Sequence, residues 1–279
     1  MDKNIYVLDM PDFEPVYLED IEYGYSGKRG DELKKLLLET SSFHCMYCYA
    51  NLKGDRTDLG EIEHSVEKTL SVYLKECVPN MSVTCKNCNQ SLKRVGEKRR
   101  KDKMKSHMKQ YEENLVCKSF KCKSICNAYA GLRKQYCKVN KLNLQPFGMT
   151  GDSSGLAYRI QYDIMTAQFV PSTKYNYNEE DLEILEHHIR QFKLNDVEYK
   201  TQALIEFIED TIEADGKYNR HKNRYSNYIV DLFVENIKEY SQEMILKICE
   251  KIYINYQLRH IIRRKNKDNR RISDNIKSQ

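Results

Sequence analysis

The chain has 279 residues, 31% of them charged, ten cysteines and a formal net charge of +5; its mean hydropathy is −0.75. That length can bury one good core or two modest ones, and no apolar run approaches the ~20 residues that span a bilayer. The acidic start, Met1–Met10, is unlike a signal peptide, so the expectation is a cytoplasmic chain without a membrane, whose cysteines serve metal ligation or burial rather than disulfides.

Residues 1–42 predict an N-terminal strap and a short helix. The first thirty are rich in Tyr and Asp, with Gly24, Gly27 and Gly30, and Asp31 can cap a helix to about Thr40. A module over 43–115 follows. Phe43–Cys48 forms a cysteine knuckle, 51–60 is turn-rich, and 62–66 is a short extended stretch carrying His64. Residues 67–78 are ambiguous, with a short helix before Pro79 as one reading. Met81–Thr84 reads as a second strand, and Cys85 opens a helix to about Leu115. Residues 116–178 form a connecting region with short strands or a hairpin at 145–147, 156–164 and 168–170. Its first part holds Cys117, Cys122, Cys126 and Cys137, whose spacing fits no common knuckle. A second zinc site and ordinary core packing both remain open there. From 179 to 265 apolar residues recur at helical spacing, and a bundle of about four helices is the simplest way to bury them. The basic tail, 266–279, predicts no structure. The fold class is α+β, mostly α.

The most informative residues lie in the second segment. Cys45/Cys48 and Cys85/Cys88 are two Cys-x-x-Cys pairs, the sequence form of a tetrahedral zinc site. Four thiolates leave no open position, so that zinc is structural. Between the pairs lie Glu63-His64 and Asn80; Asn89 follows Cys88. His64 can act as a general base near neutral pH. Glu63 and Asn89 offer hard oxygens to catalytic Mg²⁺ or Mn²⁺, and Asn80 can orient the His64 ring or nearby backbone. Lys93–Lys105 carries eight basic and two acidic residues, and Arg263–Gln279 seven and two, which leaves the remainder slightly acidic. Lys93, Arg94, Lys98, Arg99, Arg100 and Lys101 can follow a phosphate backbone. Plainer readings stand beside these. Glu63 can be a salt-bridge partner of the basic stretch, Asn80 a cap, Asn89 an ordinary helix-start residue, and the basic stretch a solvated face. His44 adjoins Cys45 but is not needed as a ligand. His187 and His188 read as half-exposed residues of an amphipathic helix, and Cys77 and Cys249 as buried or inert.

FHCMYC, IEHSVEK and NMSVTCKNCNQSLK together resemble the HNH endonucleases, the ββα-metal or His-Me finger fold with a four-cysteine zinc clamp. Glu63 stands where that family usually has Asp, and Asn89 where it often has His. The resemblance implies a metal-dependent endonuclease hydrolysing DNA, with His64 and Asn80 catalytic and Glu63 and Asn89 on the metal. More weakly, QPFG (145–148), a strand-like stretch and a helix ending in FKLND (192–196) resemble the HNH nucleases of Septu-type and retron-associated anti-phage systems. That likeness implies a partner ATPase with ABC-type features. The modest net charge predicts weak binding to DNA alone, in keeping with recruitment by a partner. The rival reading is a zinc ribbon that binds nucleic acid or protein without chemistry.

Overall fold

Ser26, five residues before the expected cap, opens the first helix in the computed structural model, which describes residues 5–54, 57–115, 122–196, 198–218 and 228–277. Its extended backbone (φ −144°, ψ 165°) turns into α1 (Gly27–Thr40), which buries Leu33, Leu37 and Leu38. The chain divides into a larger unit of residues 9–162 and 168–197 and a smaller one of 1–8, 163–167 and 198–279. The short strand β1 (Val7–Asp9) straddles that division.

In the larger unit, β2 (Gly60–His64) pairs antiparallel with β3 (Met81–Cys85), with Glu63 opposite Ser82 and His64 opposite Met81. Gly60 is required by packing: a Cβ there would lie 2.7 Å from Val83 Cγ2 and 3.1 Å from Leu38 Cδ2. The ambiguous stretch between the strands contains the short helix α2 (Val72–Lys75), capped by the Ser71 hydroxyl, and then a 3₁₀ turn over Val78–Asn80.

The single helix expected from Cys85 to about Leu115 is in fact two pieces. Cys88–Leu92 is a π turn, closed by Lys93 N–H donating to Cys88 O at 3.0 Å. Gly96, at φ +76°, then breaks the chain before α3 (Glu97–Glu113). A residue with a Cβ pays for that left-handed backbone, and glycine does not. A π turn sets its side chains out of phase with a continuing α-helix, which here turns Lys93 inward while Arg94 stays exposed.

Helix α4 (Asn127–Asn140) lies where only a connection was expected. It buries Tyr129, Leu132, Arg133, Tyr136 and Cys137, a helical stripe disguised by its polar composition. It packs on α3. The expected hairpin is present as β4 (Ile160–Asp163) beside β5 (Gln168–Pro171), whereas 145–147 forms a bend around Pro146 and not a strand. Helix α5 (Glu179–Gln191) packs on β5 and is grouped with this unit rather than with the remaining helices of the expected bundle. Those are α6 (Glu198–Glu213), α7 (Tyr228–Ile237) and α8 (Gln242–Lys277) of the smaller unit. Helix α8 runs through 266–277, where the sequence predicts no structure; no Pro or Gly interrupts it. The architecture is α+β, mostly helical with small sheets, and no helix among the described residues is long and apolar enough to cross a membrane.

Candidate metal centre and adjoining cavity

Helix α1 ends at Thr40, and a tight turn follows in which Ser42 and Phe43 take positive φ. Met46 N–H then donates to Val83 O at 3.0 Å, which lays the first cysteine pair against β3. The second pair sits at the end of that same strand. As a result the Sγ atoms of Cys45, Cys48, Cys85 and Cys88 all lie within 4.8 Å of one another. A tetrahedron with Zn–S bonds of ~2.3 Å has sulfurs ~3.8 Å apart. The Cys48 and Cys85 sulfurs are 3.7 Å apart, so the set fits a metal such as zinc. Hydrogen bonds from Cys45 and Cys48 hold the Cys85 thiol far below its ordinary pKa, while burial pushes Cys45 up. His44 is buried next to Cys45 but is not one of the four. Of the other cysteines, Cys117 lies outside the described residues. Cys137 is buried on α4, and burial raises its thiol to about 12. Among the described residues the first four form the one group of this kind.

Strand β2, the segment after it, the π turn and the start of α3 line a cavity of about 210 Å³, whose walls include Glu63, His64, Glu67, Asn89, Lys93 and Arg100. Glu63 and His64 are therefore brought to one hollow with Asn89, 25 residues further on, beside the cysteine cluster. His64 Nε2 is 2.9 Å from Lys75 O, and its ring lies 4.6 Å from that of Tyr25, centroid to centroid. A backbone carbonyl can only accept, so Nε2 carries the proton and Nδ1 keeps the lone pair. Burial, and then the cations Lys68, Lys93 and Lys75, lower its pKa from 6.5 to about 4.

Asn80 is fully buried. Its Oδ1 accepts from Val66 N–H at 2.8 Å and from Tyr129 OH at 2.7 Å. Its Nδ2 donates to Val66 O at 2.9 Å and Leu74 O at 3.2 Å. It thus clamps the backbone after His64 to the segment that supplies the Lys75 carbonyl, and all four hydrogen-bonding places of its side chain are used. Asn89 Nδ2 donates to Glu61 Oε2 at 2.8 Å, which leaves Oδ1 as the atom able to take a cation. Glu61 also accepts from Gln90 at 2.7 Å. It lies two residues before Glu63 on β2 and ties the π turn to the strand, a role the strand alternation could have suggested.

Two of the six expected nucleic-acid contacts are placed differently. Lys93 is 6% exposed and Arg100 7% exposed. Lys93 Nζ donates to Glu63 Oε1, to His64 O and, at 3.0 Å, to Ser65 O. Arg100 Nε donates to Glu67 Oε1 at 3.1 Å and to Tyr136 OH at the same distance. Both cations are committed inside the unit because buried carboxylates demand partners. Arg94, Lys98 and Arg99 are exposed, and Lys101 pairs with Glu97. Glu63 Oε2 accepts from Ser82 at 3.2 Å, so the salt bridge to the basic stretch is what Glu63 makes here. His188 is buried against the stacked pair Tyr47 and Phe192 and lowered to about 3 by burial; it is a core residue, not a half-exposed one. No sequence signal marked Glu67 or Tyr25, which reach the cavity only through the tertiary fold.

No protein-family model, curated protein or solved structure matches this chain.

Proposed function

We propose that the chain is a metal-dependent HNH endonuclease that hydrolyses DNA phosphodiester bonds, and that it serves as the nuclease of an anti-phage complex with an ATPase of ABC type. The observation that carries the catalytic reading is the His64 imidazole. It is neutral at pH 7, fixed through Nε2 on a backbone carbonyl, and shares a cavity with Asn89 at the end of a ββ hairpin braced by four cysteines. Held this way, Nδ1 takes the proton from a water attacking the phosphorus. Asn80 keeps the loop behind His64 in register. Arg94, Lys98 and Arg99 at the start of α3 are exposed and suited to the flanking phosphates. Asn89 Oδ1 and Glu63 would hold Mg²⁺ or Mn²⁺, which would supply charge stabilisation for the leaving oxygen. The ATPase partner rests on the sequence likeness alone.

A second reading, a zinc-bearing binding module without chemistry, is favoured by one feature. Both carboxylate oxygens of Glu63 are already engaged, by Lys93 and Ser82. Plasmid nicking in Mg²⁺ or Mn²⁺, alone and with the product of the neighbouring gene, separates the two. The His64→Ala protein should keep its zinc and its fold and lose cleavage by about 10²-fold or more. Cleavage equal to that of the wild type would sink the catalytic assignment and leave the binding module.

A further inference from the structure

Glu67 is 8% exposed and lines the cavity with His64 and Asn89. Its two oxygens differ. Oε1 accepts from Arg100 Nε at 3.1 Å and from Tyr136 OH at 2.7 Å. Oε2 is buried and has no hydrogen-bond partner. A buried, unpaired carboxylate oxygen costs on the order of 1–3 kcal/mol or more and calls for an ion or water to complete it. Arg100 and Tyr136 fix the carboxylate in place through Oε1 alone.

We propose that Glu67 Oε2 is a ligand for a divalent cation in this cavity, a role that Glu63 cannot fill alone while Lys93 holds its Oε1. The inference deepens the nuclease reading and rests on it for the cation's purpose. A buried, rigid, anionic oxygen with an unused coordination site is what a hard cation selects. Asn89 Oδ1 offers a second oxygen in the same hollow. Lys93 and Arg100 are each matched to one carboxylate, and the same wall carries Lys68, Arg94 and Glu97, so the unloaded site is slightly positive. An added dication leaves it more positive, and a phosphodiester balances that charge. Cation affinity should therefore rise when DNA is bound, and by linkage DNA affinity should rise with the cation.

The test is binding of Mn²⁺, followed by the electron paramagnetic resonance of the free ion, to the full zinc-loaded chain. Glu67→Gln retains an amide oxygen for Arg100 and Tyr136 and removes only the free carboxylate oxygen. It should weaken Mn²⁺ binding at least about tenfold with zinc content unchanged. Tyr136→Phe, which disturbs the same network but keeps Oε2, should bind Mn²⁺ close to wild type. The inference is overturned if Glu67→Gln binds Mn²⁺ as the wild type does, if Tyr136→Phe loses as much as Glu67→Gln, or if the wild type binds none. His64→Ala separates this from the nuclease reading, because it should abolish cleavage and spare Mn²⁺ binding. Glu67-dependent Mn²⁺ binding in a protein that never cleaves would uphold the ligand and reject the nuclease. His64-dependent cleavage with Mn²⁺ binding indifferent to Glu67 would do the reverse.

Discussion

The two units bury different chemistry. Among the described residues, every buried polar or charged side chain except Thr211 belongs to the larger unit, including Glu63, His64, Glu67, Asn80, Lys93, Arg100 and Arg133. The smaller unit is filled by Leu204, Phe207, Ile208, Ile229, Phe233, Ile237, Ile248 and Ile252. An apolar interior is the cheaper way to stabilise a fold, since a buried ion pair is often no better than a hydrophobic replacement. The larger unit therefore gives up stability to hold charged groups in fixed places, and the four-cysteine cluster is the feature best able to offset that loss. The smaller unit has no such need and no such cluster among its described residues.

Removing the metal that the four cysteines are placed to bind should separate the two units most clearly. Structural zinc contributes on the order of 10 kcal/mol or more in small zinc domains. Stripping it with a strong chelator should release one zinc equivalent per chain and abolish hydrogen-exchange protection over 43–115. Protection over 204–212 and 229–252 should persist. Uniform loss across both units would show that the cluster does not support the larger unit specifically.

A smaller effect should come from the ion pair itself. Lys93→Met keeps the length of the side chain but strands the Glu63 carboxylate and two backbone carbonyls. Breaking a buried pair from one side costs about 3–5 kcal/mol. Denaturant unfolding of Lys93→Met should show that loss, whereas the double variant Lys93→Met/Glu63→Leu should recover most of it. If the double variant is no better than the single one, the pair is not the reason for the polar interior.

Legibility follows the same division. The cysteine cluster could be read because ligand spacing is a local property: two Cys-x-x-Cys pairs admit few other meanings. His64, Asn80 and Asn89 were legible only as a set tied to those pairs. The helices α6 to α8 showed in their aliphatic period. What stayed hidden depends on long-range pairing of charges. A run such as 93–101 looks like a solvated basic face until the π turn and Gly96 rotate Lys93 and Arg100 inward toward Glu63 and Glu67. Helix α4 was missed because its buried stripe of Tyr129, Arg133, Tyr136 and Cys137 does not look apolar. The bundle was overcounted because α5 has the same period as its successors while its partners are the strands.

The smallest expected effect is a pH dependence that the two units should not share. His64 is lowered to about 4 and His188 to about 3, each chiefly by burial, and both belong to the larger unit. Unfolding returns each imidazole to about 6.5. Below that value the unfolded chain binds more protons than the folded one, so acid favours unfolding. The contribution of these two residues is complete above pH 6.5 and falls away as pH drops toward 4 and then 3. Each imidazole contributes at most about 1.4 kcal/mol of slope per pH unit, and on the order of 3 kcal/mol across its window. Unfolding of the wild type from pH 7.5 to 4.5 should therefore show a loss that His188→Phe reduces. Because His64 stays neutral through most of that range, cleavage should show no inflection near 6.5 while the protein remains folded. An activity profile that halves at 6.5 would mean that His64 titrates as an exposed imidazole, and that the polar interior of the larger unit is far wetter than its packing indicates.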